Sequence, residues 1–153
     1  MVRVIVIYES KYGNTKIVAE KIIQGLKEVG GVEVSISEVK EVDFNKILEY
    51  DAILIGSPNH MGEPTRSIKG FINKLGELQL KGKMFAVFDT YLGRDFGKAV
   101  KKMEKQVNEK VSGMKQLTSG LTIKVQGVKG PIVEGELQKC RDLGKKIATQ
   151  LKA

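Results

Sequence analysis

Apolar residues follow two rhythms along this chain. Three runs are nearly unbroken: Val2 to Tyr8, Ala52 to Gly56 and Met84 to Phe88. Such runs suit central strands covered on both faces. Val32, Val34 and Ile36 instead alternate with Glu33, Ser35 and Ser37, which predicts a strand nearer a sheet edge, and Leu121, Ile123 and Val125 alternate as a last strand. Between the strands the spacing is helical. Val18, Ala19, Ile22, Ile23, Leu26 and Val29 form one stripe within residues 16–29. Ile68, Phe71, Ile72 and Leu75 form a second, after Thr65. A helix over about 95–111 should turn Phe96, Ala99, Val100, Met103 and Val107 inward, and one over about 134–152 should bury Leu137, Cys140, Leu143, Ile147 and Leu151. Asn14 or Thr15 is expected to cap the first helix and Gly30-Gly31 to end it, while Asp43 should cap a short helix, Phe44 to Leu48.

Five strands thus alternate with helices, with no repeat, linker or low-complexity stretch. The expectation is one α/β domain over residues 1–153. It has three layers: a five-stranded parallel sheet with right-handed crossovers and helices on both faces. Two strand orders fit such a chain, and five strands followed by a closing helix favour 2-1-3-4-5 over a dinucleotide-binding sheet. Ligands of an open parallel sheet sit beyond the carboxyl ends of its strands, near the switch point. Residues 9–15, 57–62 and 89–93 fall there. Each is polar or turn-rich, and each follows a strongly apolar strand.

Charge narrows the partners. The net charge is +8, with 14 Lys/Arg against 13 Asp/Glu in residues 1–100 and 12 against 5 in residues 101–153. A basic last third is either a solvated surface or a face for an acidic partner. Nucleic acid is not expected, because no aromatic residue beyond Phe96 offers a stacking platform. No apolar run approaches the ~18 residues that span a bilayer, and no signal-peptide pattern opens the chain. The single cysteine, Cys140, excludes an internal disulfide. A cytoplasmic location away from membranes is expected. One His and one Cys far apart give no metal-ligand spacing, and no nucleophile has a base in the same segment.

The first polar segment, Ser10-Lys11-Tyr12-Gly13-Asn14-Thr15, joins a buried strand to a helix. Its hydroxyls and amide, a glycine for the tight turn and the positive helix end suit a phosphate. It has one glycine, so it is neither a Walker loop nor a dinucleotide fingerprint. Ser-x-Tyr-Gly-Asn-Thr resembles the phosphate loop of flavodoxins, usually Thr/Ser-x-Thr-Gly-Asn-Thr. Ile55-Gly56-Ser57-Pro58 resembles the Gly-Ser/Thr-Pro lead-in to their first flavin-flanking loop, seen also in the flavodoxin domains of flavodiiron proteins. Phe88-Asp89-Thr90-Tyr91 resembles the second flanking loop, and Leu143 to Ala148 the last helix. The likeness spans the chain and identifies it as resembling short-chain flavodoxins.

That resemblance implies an FMN-binding electron carrier rather than an enzyme with its own substrate, and no catalytic residue is assigned. Ser10, Lys11, Tyr12, Gly13, Asn14 and Thr15 would hold the phosphate. Ser57, Pro58, Asn59, His60, Met61 and Gly62 would flank one face of the ring, and Asp89, Thr90, Tyr91, Leu92 and Gly93 the other. Tyr91 is the expected stacking partner. In relatives a peptide of the first flanking loop turns over to meet N5 of the reduced ring. His60-Met61 or Met61-Gly62 would do so here. The partners implied are redox proteins, acidic at the contact, with the chain a monomer or weak homodimer.

The chain also departs from the family. It has no Trp to stack on the ring, Asp89 and Leu92 stand where some relatives have glycine, and it is basic where most flavodoxins are acidic. Two other readings therefore stay open: an FMN-dependent oxidoreductase for a quinone or porphyrinogen, and a binding module of this fold that has lost its flavin. A phosphorelay receiver is excluded, because the strand that should end in the phosphoacceptor Asp ends Ile55-Gly56-Ser57.

Overall fold

Central strands buried on both sides need two cores, and the chain builds them by alternation. A computed structural model describes residues 1–153. Its strands are β1 (Val2–Tyr8), β2 (Val32–Glu38), β3 (Ala52–Pro58), β4 (Met84–Tyr91), β5 (Lys115–Gln116) and β6 (Leu121–Lys124). All pair in parallel, in the order β2-β1-β3-β4-β5, with β6 also beside β4. The expected order 2-1-3-4-5 holds. Its fifth position is one broken strand, because β5 pairs with the start of β4 and β6 with its end. Between them, Gly120 packs against Val100 and Val87, and Glu104 accepts the Gly120 N–H at 2.9 Å. Strand β2 is an edge, as its alternation predicts.

Successive side chains point to opposite faces. Ile5, Ile7, Ile53, Ile55, Phe85 and Val87 face α3 (Arg66–Leu75) and α4 (Lys98–Lys110), together with Ile47 of the short α2 (Phe44–Ile47). Val4, Val6, Tyr8, Leu54, Ala86 and Phe88 face α1 (Asn14–Val29) and α5 (Glu136–Lys152). Gly56 makes room on that face: a Cβ there would lie 2.1 Å from the Phe88 ring. Helices α1 and α5 cross at two glycines. A Cβ on Gly25 would meet the Arg141 carbonyl at 2.0 Å, and one on Gly144 the Ile22 carbonyl at 2.0 Å. Ion pairs from Arg141 (2.5 Å) and Lys145 (3.1 Å) to Glu28 lie beside this crossing.

Several expected boundaries move. Neither Asn14 nor Thr15 caps α1; Gly13 does, in a left-handed conformation (φ 93°), with Ser10 Oγ accepting its N–H at 3.0 Å. Asp43 does cap α2, accepting the Asn45 N–H, but that helix stops at Ile47 and leaves Leu48 exposed. Phe96 does not turn inward. The segment before α4 is broken by left-handed Gly93 and Gly97, the helix starts at Lys98, and Phe96 is 65% exposed. Leu137 and Leu143 are only half-buried on α5. Ser57 and Pro58, expected in a turn, end β3. No helix is long and apolar enough to cross a membrane.

The glycine crossing yields a prediction of opposite signs. Gly144→Ala must separate two backbones and should destabilise the fold by about 1–3 kcal/mol. Gly70→Ala, where nothing lies within 4 Å on the exposed side of α3, should stabilise it by about 0.5–1 kcal/mol. Urea unfolding of both variants checks the pair.

Candidate functional site

Each of β1, β3 and β4 ends in a loop that cannot continue into the core, and these loops meet at one cavity. It has a volume of about 280 Å³. Ser10, Lys11, Tyr12, Asn14 and Thr15 line it from the first loop; Pro58, Asn59, His60 and Met61 from the second; Thr90, Tyr91, Leu92 and Asp95 from the third. Val125 and Val128 add a fourth wall. Of the residues singled out in the sequence, Gly13, Ser57, Gly62, Asp89 and Gly93 do not line it. Asp95, Val125 and Val128 were not anticipated. Asp95 lies in a segment that reads as helix, Val125 in one that reads as strand, and residues 126–132 carry only turn chemistry and no site pattern. A volume near the low end for small-molecule sites (~300–1,000 Å³) encloses a ligand only in part.

The first loop presents the start of α1. No side chain caps it and its first turn has no acidic residue. The N–H groups of Asn14, Thr15 and Lys16 thus point out of the helix without a protein acceptor. Such an end favours an anion. Thr15 is buried, and its hydroxyl shares a 3.0 Å hydrogen bond with that of Thr90, which ties the first loop to the third.

Asn59 ties the second loop to the third. Its N–H donates to the Thr90 carbonyl (2.8 Å), its Nδ2 donates to the Asp95 carbonyl (2.7 Å), and its Oδ1 accepts the Gly62 N–H (2.8 Å). His60 and Glu63 exchange two backbone hydrogen bonds of 2.8 and 2.9 Å. The hairpin turn between them holds both central residues left-handed, Met61 at φ 52° and Gly62 at φ 88°. Met61 is the one non-glycine residue with positive φ, a conformation that costs about 1 kcal/mol. Its side chain is 93% exposed. Glu63 anchors the turn's far end through ion pairs to Lys69 of α3 and Lys102 of α4. Those two lysines hold its carboxyl below the usual carboxylate range. Ser57 works behind the cavity: its Oγ donates to the Pro58 carbonyl and accepts the Thr65 N–H. Tyr91 is half-buried, and Phe96 meets it edge-on, with ring centres 5.3 Å apart and planes at 85°. This contact gives Phe96 a place outside the core.

Asp89 lies beneath the third loop and is fully buried. It accepts the Val100 N–H at 3.1 Å and the Thr122 hydroxyl, so it joins β4 to α4 and β6. Burial pushes its pKa up to about 6, against the hydrogen bonds from Thr122 and Val100, which favour the carboxylate.

Comparison with known proteins agrees with this geometry. A family model described as Flavodoxin matches residues 6–136. A flavodoxin of Aquifex aeolicus is 32% identical over 97% of this chain and 86% of its own length. The structure of an archaeal flavodoxin superposes with a TM-score of 0.85 at 27% identity, covering 99% of this chain and all of that one. A flavodiiron core from Synechocystis shares the fold at TM-score 0.79 and 22% identity, over 99% of this chain and 36% of that one.

The raised carboxyl predicts a pH dependence. In the unfolded chain Asp89 ionises near 3.8, and in the fold near 6. Its stabilising contribution is therefore complete below the lower value and lost as pH rises through the upper one. Between pH 5 and 7.5 the urea midpoint should fall, by an amount corresponding to on the order of 1–1.5 kcal/mol. Asp89→Asn should flatten that slope.

Proposed function

The chain belongs to the flavodoxin family, and on that premise we propose that this cavity is the seat of the FMN with which it carries electrons between redox partner proteins. The residues present fit that group. The observation that carries the reading is the meeting of a bare helix N-terminus with an apolar slot in one cavity at the sheet's switch point.

FMN supplies the redox chemistry when bound, accepting and returning electrons. The protein's part is to bind, orient and partly dehydrate it. The free N–H groups of α1, with Ser10 and Asn14, would take the phosphate. Tyr91, braced by Phe96, would offer a flat face to one side of the ring. His60 or Met61 would close the other, in place of the absent Trp. In the turn between them the Met61 carbonyl accepts no hydrogen bond, while the Gly62 N–H is held by Asn59. That carbonyl would be free to accept from the edge of the bound flavin. A cavity only partly enclosing its ligand would leave one edge of the ring reachable for electron transfer.

The partner should be acidic at the contact. Lys98 lies beside Gly62 and Lys11 lines the cavity, so positive charge flanks the opening. Charge of this kind steers encounter and is screened over about 10 Å at 0.1 M salt. A cytoplasmic setting agrees with the one cysteine being buried and unpaired.

Titration of apoprotein with FMN, followed in the visible spectrum, tests the cofactor. One equivalent taken up is expected, and none would overturn the reading. Steady oxidation of a nicotinamide by a quinone with this chain alone would replace the carrier with an enzyme. The turn gives a sharper prediction. Gly62→Ala places a side chain at φ 88° and 3.2 Å from Lys98, costing about 1–2 kcal/mol. It should shift the midpoint potential of bound FMN, whereas Met61→Gly should relieve strain and raise stability. Spectroelectrochemical titration and thermal unfolding separate the two.

A further inference from the structure

Two lysines from different parts of the chain meet at the Tyr12 ring of the first loop, and neither has a carboxylate partner. Lys11 belongs to the first loop and lines the cavity. Lys129 comes from residues 125–132, more than a hundred positions later. Both ammonium groups approach the exposed ring of Tyr12, at 5.5 Å for Lys11 and 5.9 Å for Lys129. Neither forms an ion pair or a hydrogen bond.

The placement of Lys129 follows from a braced hairpin. Val125 and Ile132 pair across it, the Gln126 N–H donates to the Pro131 carbonyl at 2.8 Å, and the Gly130 N–H donates to the Gly127 carbonyl at 2.9 Å. Its base is joined to the site, because the Val125 N–H donates to the Tyr91 carbonyl at 3.0 Å. Its tip leans on the first loop: a Cβ on Gly130 would lie 2.6 Å from Asn14 Oδ1. On the other side of Lys129, Val128 lines the cavity although it is 66% exposed. Lys129 therefore sits between a residue that touches the cavity and one that touches the phosphate loop. The only carboxylate-bearing side chain lining the cavity, Asp95, belongs to the opposite loop, whose carbonyl is bonded to Asn59.

We propose that Lys129 and Lys11 form a cationic clamp that closes over the phosphate of FMN and makes this chain select a phosphorylated flavin by charge. The proposal rests on the cavity holding FMN and adds what decides which flavin it takes. Backbone N–H groups alone recognise phosphate through fixed dipoles. An ammonium on a flexible stem adds a full charge without demanding one geometry. A contact with a tyrosine ring holds such a group loosely when exposed, so both lysines are free to turn to a phosphate. Because the clamp is solvent-exposed, it must weaken with salt.

The test is to titrate apoprotein with FMN and with riboflavin by fluorescence quenching, at about 0.05 and 0.5 M salt. The variants are Lys129→Gln, Lys129→Glu and Lys11→Gln, with Lys146→Gln on α5 as a distant control. Each neutral variant should bind FMN about three- to fivefold more weakly at low salt, and Lys129→Glu about tenfold or more. Riboflavin affinity should not change, and the salt dependence of FMN binding should shrink in every site variant. Inorganic phosphate should compete with FMN better in the parent than in Lys129→Gln. Parental FMN affinity in all three variants, or equal losses for both flavins, overturns the clamp while leaving the cofactor reading intact. No FMN uptake by the parent overturns both.

Discussion

Burial of β1, β3 and β4 on both faces is the constraint from which the rest follows. A strand with no wet face must have helices above and below, so the chain leaves the sheet after each strand and returns on the other side of it or on the same side in parallel. Every return starts at the carboxyl end of a strand. Polar loops therefore gather at one edge, and the cavity is lined by three of them. The apolar runs that make the sheet stable are also what place Ser10, Asn59 and Tyr91 near one another.

Loops brought together in this way still need to be held. Three contacts do so without filling the cavity. The hydroxyls of Thr15 at the start of α1 and Thr90 near the end of β4 share a hydrogen bond, Asn59 reaches both the Thr90 and Asp95 carbonyls, and Thr65 at the start of α3 donates to Glu9 in the first loop. Asp89 does the same work one layer deeper, at the cost of a buried carboxyl. Residues that stand in the motifs are thus divided between those that face the cavity and those that stand behind it. Glu63 shows how little charge the second loop needs for anchoring: one carboxylate meets lysines of two helices.

The strands, their order and the loops at the site were legible because periodicity reports burial, and burial here is nearly complete. What failed to show in the sequence depends on geometry between distant segments. Phe96 looks like a core residue by helical spacing, yet two left-handed glycines start the helix two positions later and leave it against Tyr91. Thr15 looks like a cap, but its hydroxyl is claimed by Thr90, a residue 75 positions away. The break between β5 and β6 follows from Gly120 fitting under Val100, which no local pattern encodes. Residues 125–132 were invisible as part of the site for the same reason. Their role depends on a hairpin leaning on Asn14, and turn residues alone do not say what a turn leans on.

The crossing of α1 on α5 also bears on how the protein is made. Helix α1 and the strands β1 and β3 are synthesised early, but the sheet face they share is completed by Cys140, Ile147, Ala148 and Leu151 of α5. The other face closes sooner, with α3 and α4. A ribosome adding roughly 5–20 residues each second therefore leaves one side of the sheet without its second helix for several seconds after the first side is sealed. During that interval the small hollow at Gly25, into which the Arg141 backbone fits, is open. Gly25, which lets the helices lie so close in the finished protein, thus marks the apolar surface that stays uncovered until α5 is made.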